Sequence, residues 1–140
     1  MFASVNAASP VVAGDAVFVT ESYTEGGALV DFAADGTAGT EIVCYEIKSG
    51  REMWRDSMDL QGARLGRASL LHIDGAFLCL GAQGTLLWLD LSSKGAKTLS
   101  KAQLFRAPET WGVPPVSRGL LYVNRNAFGP RLICYDLRGQ

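Results

Sequence analysis

The phrase 42-IVCYEIKSG-50 returns ninety residues later as 132-LICYDLRG-139. Each copy is a run of branched and aromatic side chains, then an acid, an apolar residue and a polar turn closing on Gly. That composition reads as a strand entering a tight turn. A chain that repeats such a phrase builds its core from equivalent units, each needing its neighbour for burial.

Two further copies, 28-ALVDFAADG-36 and 86-LLWLDLSSKG-95, put Asp31, Glu46, Asp90 and Asp136 in one register. A carboxylate there is expected to accept N–H groups of the following turn, a structural role. Four acids on four separate copies do not make a catalytic pair. A second phrase, a small turn followed by an apolar strand, occurs as 9-SPVVAGDAVFVT-20, 69-SLLHIDGAFLCL-80 and 114-PPVSRGLLYVN-124. Aligning Phe18, Leu78 and Tyr122 gives spacings of 60 and 44 residues. A period near 44 with about four short strands per unit is the signature of a β-propeller blade. The expected fold is all-β: an incomplete propeller of about three four-stranded antiparallel blades, approximately 8–56, 66–105 and 111–140. The first and last are expected to be incomplete. One strand phrase is missing between Gly36 and Ile42. Either 37-TAGTE-41 links two adjacent strands, or about one repeat unit of roughly forty residues was lost there. The stretch 96-AKTLSKAQLF-105 is the best helical candidate, and equally a loop with an outer strand.

At 140 residues and 48% apolar content the chain is the size of one domain with a packed core. A formal net charge of −1 gives no electrostatic reason to expect nucleic acid or an anionic membrane as partner. No window has the length of a transmembrane helix, so no membrane insertion is expected. MFASVNAASP lacks the basic and apolar regions of a signal peptide. Cys44, Cys79 and Cys134 are not spaced as metal or disulfide motifs and read as small core positions on strands. His72 has no second His or Cys at ligand spacing. No catalytic, cofactor-binding or metal-ligating residue is assigned.

The string 44-CYEIKSGREMW-54 resembles the quinoprotein-like repeat: an apolar strand, an acid, a turn ending in Gly, and a Trp closing the outer strand. The stretch 69-SLLHIDGAFLCLGAQGTLLWLDLS-92 carries the likeness most clearly. Over residues 8–139 the chain is similar to bacterial PQQ-binding-like β-propeller repeat proteins. That family includes quinoprotein dehydrogenases and also non-enzymatic propellers, and its known members imply export to the periplasm. The resemblance makes Trp54 the docking residue, packed between adjacent sheets with its N–H hydrogen-bonded. The later copies lack a Trp there. Trp111, in 108-PETWGVPP-115, is expected to cover a blade face or line a groove.

A quinoprotein dehydrogenase needs a quinone held over a Trp, a Ca²⁺ with oxygen ligands, an Asp base and, commonly, adjacent cysteines. No two cysteines are adjacent in this chain. Glu21, Glu25, Asp31 and Asp35 cluster in 21-ESYTEGGALVDFAADG-36, which reads either as a ligand-binding loop or as a solvated hairpin tip. Ser9 and Ser69 have no His beside them in sequence. The expected function is therefore a non-catalytic propeller segment acting as a protein- or ligand-binding scaffold, without a cofactor. The alternative is a fragment of a PQQ-dependent dehydrogenase lacking its full active site. Arg125, Phe128 and Arg131, in 124-NRNAFGPR-131, form the candidate surface contact. Partners would be other proteins, or further blades of the same polypeptide or oligomer. Three blades are fewer than the four to eight of closed propellers. The chain is thus expected to be a segment of a longer polypeptide, a protomer that completes a ring with other copies, or an open stack. The ending LRGQ favours the first.

Overall fold

A computed structural model of the chain describes residues 10–21, 41–57, 65, 68–108, 110, 112–126 and 129–138. Among them are eleven strands and no helix. The first sheet comprises β1 (Val11–Ala13), β2 (Ala16–Glu21), β3 (Glu41–Glu46) and β4 (Glu52–Ser57). The second comprises β5 (Ala68–Ile73), β6 (Ala76–Gly81), β7 (Thr85–Ser92) and β8 (Gly95–Gln103). The third comprises β9 (Val116–Ser117), β10 (Leu120–Asn126) and β11 (Pro130–Asp136). Every sheet is an antiparallel meander in chain order.

The turns explain why these residues form hairpins. Asp74–Gly75 and Arg118–Gly119 are two-residue loops in which both residues have positive φ, 48° and 79°, then 52° and 75°. That is the type I′ geometry whose twist matches paired strands, and it favours Gly at the second position. The stretch weighed as helix or outer strand is β8, paired along β7 from Ser92↔Gly95 to Thr85↔Gln103.

The first sheet corrects one expectation. Its four strands are complete, and residues 22–40 fall between β2 and β3. β2 pairs directly with β3 on either side of those residues, so this sheet has its four strands. The phrase 28–36 lies outside the described residues.

Burial comes from stacking. Phe18, Ile42 and Cys44 of the first sheet pack on Leu70, Phe77, Cys79, Leu87 and Leu89 of the second. Phe18 meets Phe77 edge-on, with ring centroids 5.0 Å apart at 61°. On its other face the second sheet offers Leu78, Leu80 and Leu86 to Leu121 and Val123 of the third. Each such side chain contributes about 1.5–3 kcal/mol when withdrawn from water. The second sheet is the middle layer. Its strand TLLWLDLS is therefore apolar at adjacent positions where a one-sided sheet would alternate.

Candidate functional site

Glu46 and Asp136 stand at the ends of β3 and β11, whereas Asp90 lies two residues before the end of β7. Asp136 Oδ1 accepts the Arg138 N–H at 3.0 Å, and its two oxygens take the Arg138 guanidinium at 2.8 and 2.7 Å. The guanidinium lowers the Asp136 carboxyl to about 2. Glu46 instead accepts the hydroxyl of Ser49. In the Asp90 copy Ser92 Oγ takes the turn role, accepting the Lys94 N–H at 3.2 Å. Two of the carboxylates thus shape turns, on the first and third sheets.

Trp54 does what the resemblance implies. It is half-buried against the first core, 6.0 Å from the Phe18 ring, and its Nε1 donates to the Ser92 carbonyl at 2.7 Å. Trp88 is likewise packed, between the second and third sheets. Sequence reasoning missed a second inter-sheet tie. The Tyr135 hydroxyl donates to the Leu104 carbonyl at 3.0 Å, 31 residues away. Its only trace in the sequence is the Tyr repeated beside both acids.

The candidate contact pair stands at the hairpin end of the third sheet. Arg125 lies directly opposite Arg131, on the same face as the pairs Val123↔Ile133 and Leu121↔Tyr135. That face packs on the second sheet, so the two guanidinium groups sit on the rim of a seam. Residues paired this way have Cβ atoms about 5 Å apart, and like charges there repel. The Nε of Arg125 is buried with no hydrogen-bond partner among the described residues. Burial raises the Tyr135 hydroxyl above its usual range, and the nearby Arg125 charge opposes that rise. Phe128 lies outside the described residues, as do Ser9, Glu25, Asp31, Asp35 and Trp111.

Two shallow clefts follow the sheet seams. One, of about 370 Å³, is lined by Leu86, Trp88, Ser100, Lys101, Ala102 and Leu137. The other, of about 330 Å³, includes Asp15, Phe18, Glu46, Met53 and Ser92. His72 lines neither; it is exposed on β5 and stacks on Phe77 with centroids 4.7 Å apart. Ser69 donates to the Gly112 carbonyl at 3.4 Å. The described residues do not fit a quinone-and-metal site. Trp54 and Trp88 are both committed to inter-sheet packing, and Glu46, Asp90 and Asp136 stand on different sheets. No group of three or more His, Cys, Asp or Glu among the described residues could hold a metal ion.

No family model matches the chain, and no curated protein matches it. Among solved structures it is similar to a europium-containing methanol dehydrogenase, with a TM-score of 0.59 over 91% of this chain at 15% identity. The fold is a quinoprotein-like β-propeller segment. This propeller segment spans 22% of that protein's length. At such identity the likeness concerns how the blades are built and stacked.

Proposed function

We propose that this propeller segment is a non-catalytic scaffold that binds a partner protein or ligand through the rim carrying Arg125 and Arg131. The supporting observation is the directly opposed arginine pair, with one buried Nε that has no hydrogen-bond partner among the described residues. Two like charges held face to face cost stability, and a carboxylate or other anion between them removes that cost. An anionic group accepting from both guanidinium forks gains charge-assisted hydrogen bonds at a partly desolvated place. The ligand class is therefore an acidic side chain or an acidic small molecule, and the pairing of β10 with β11 sets the two arginines opposite each other.

The fold likeness to a methanol dehydrogenase favours a second reading, a piece of a PQQ-dependent dehydrogenase that lacks its full site. Calorimetric titration separates the two. A poly-glutamate peptide should bind, and Arg125→Gln or Arg131→Gln should weaken it about tenfold. Tight quinone binding that needs Ca²⁺ and survives both substitutions would overturn the scaffold reading. So would failure of the peptide to bind.

A further inference from the structure

In each sheet one residue stands five places before the repeated acid: Glu41 before Glu46, Thr85 before Asp90 and Arg131 before Asp136. In the first two sheets the outer strand answers it. Arg55 on β4 binds Glu41 at 2.6 Å, and the Thr85 hydroxyl donates to Gln103 on β8 at 3.0 Å. Among the described residues the third sheet has three strands, in the order β11-β10-β9. There β11 is the edge, and no described strand lies beyond Arg131.

The Leu137 N–H donates to the Gly119 carbonyl, one step past the pair Leu120↔Asp136. Antiparallel pairs alternate between bonded and non-bonded, so Tyr135, Ile133 and Arg131 direct their N–H and C=O groups to β10. Leu132 and Cys134 direct theirs away from it. Their equivalents Ile42 and Cys44 pair with Asp56 and Trp54 on β4. Leu86 and Trp88 likewise pair with Ala102 and Ser100 on β8. The backbone positions that hold an outer strand in two sheets form the edge of the third.

A side-chain recess adjoins this edge. The cleft of about 370 Å³ runs between Leu137, just past β11, and Leu86, Trp88, Ser100 and Ala102 of the second sheet. At the corresponding place between the first two sheets, Ala96 on β8 stands opposite Leu91, and both Ala96 and Trp54 pack against the core. An outer strand on β11 would set a residue opposite Leu137, over the cleft.

We infer that the outer edge of β11 takes up an extended acidic segment of a partner protein as the third sheet's fourth strand, with an apolar residue over the cleft and carboxylates at Arg131. The inference rests on the acidic-partner reading above and adds how the partner's main chain is held. Strand addition supplies main-chain hydrogen bonds, and the alternating side chains supply selectivity. The added strand runs antiparallel to β11, as β4 does to β3 and β8 to β7. Its apolar residue therefore comes first, and its acids follow toward the C-terminal end. A carboxylate facing Arg131 also offsets the repulsion from Arg125 across the hairpin.

The probe is the capped peptide VTVTTETE, titrated calorimetrically into the intact chain and followed by amide hydrogen exchange. Binding should slow exchange of the outward amides of Leu132 and Cys134. Leu132→Pro removes one of those donors, a change that edge strands tolerate. Its circular dichroism should match the parent while peptide affinity falls about tenfold or more. N-methylation of the threonines on either side of the first glutamate should weaken binding similarly, with the protein unaltered. Arg131→Gln should weaken this peptide and poly-glutamate alike. Indifference to both Leu132→Pro and N-methylation would overturn strand addition, and the rim reading would survive if poly-glutamate still required Arg131. Failure of both peptides to bind would overturn the two together. Slow exchange at Leu132 and Cys134 before any peptide is added would also overturn the inference, because the edge would already be occupied.

Discussion

The indole N–H of Trp54 donates to the main-chain carbonyl of Ser92, tying the outer strand of the first sheet to the last residue of β7 in the second. This bond spans 38 residues of chain and lies at the edge of the larger apolar core. Trp54→Phe keeps an aromatic ring there and should cost about 1 kcal/mol for the lost hydrogen bond. Trp54→Ala should cost about 2–4 kcal/mol, somewhat below a fully buried aromatic because Trp54 is half-buried. Urea unfolding with an unchanged m-value would check both.

Gly84 and Gly14 have similar dihedrals and different surroundings. Both have positive φ, +88° and +59°, but a Cβ on Gly84 would sit 2.4 Å from the Phe105 carbonyl oxygen, whereas Gly14 faces open space. Gly14→Ala should cost only the left-handed penalty, about 1–2 kcal/mol. Gly84→Ala should exceed it by about 1 kcal/mol or more, because backbone must move. The difference between their denaturation midpoints measures the clash.

Acid should release the last turn selectively. The folded Asp136 carboxyl is lowered from 3.8 to about 2 by the Arg138 guanidinium. A depressed acid contributes stability that is present above its unfolded value and is lost as pH falls toward the folded one. The thermal midpoints of the parent and of Arg138→Gln should therefore differ at pH 6 and converge between about pH 4 and 2. An unchanged gap at pH 2 would mean that Arg138 acts only by lying across Gly119.

The three thiols should separate into two classes. Burial pushes Cys79 up to about 12 and raises Cys44, while Cys134 is exposed. At neutral pH and low protein concentration a disulfide reagent should titrate one thiol rapidly, and mass spectrometry should place the label on Cys134. The other two should react at the rate of unfolding.

The Arg125–Arg131 pair should cost the free chain stability. Arg131→Gln removes the repulsion and should raise stability by about 0.2–1 kcal/mol at low salt. The gain should shrink at high ionic strength as screening takes over. Greater stability combined with weaker anion binding would mark the pair as a functional compromise.

Local chemistry was legible without coordinates. Alternation, acids and Gly-bearing turns located the hairpins, and the 44-residue period made them blades, because these signals depend on a strand and its own turn. Trp54 was legible from the family resemblance carried by 44-CYEIKSGREMW-54, since no other copy of the phrase has a Trp at that place. Tertiary structure alone decided which copy of a phrase is buried. Cys44 and Cys134 sit in nearly the same words, yet one is sealed and the other faces solvent. Burial here is a property of the adjacent sheet, and a strand's sequence says nothing about whether that sheet is present. Nor could spacing reveal that β2 pairs with β3 across residues 22–40, since a spacing of 60 is compatible both with one sheet and with two repeat units that have lost residues.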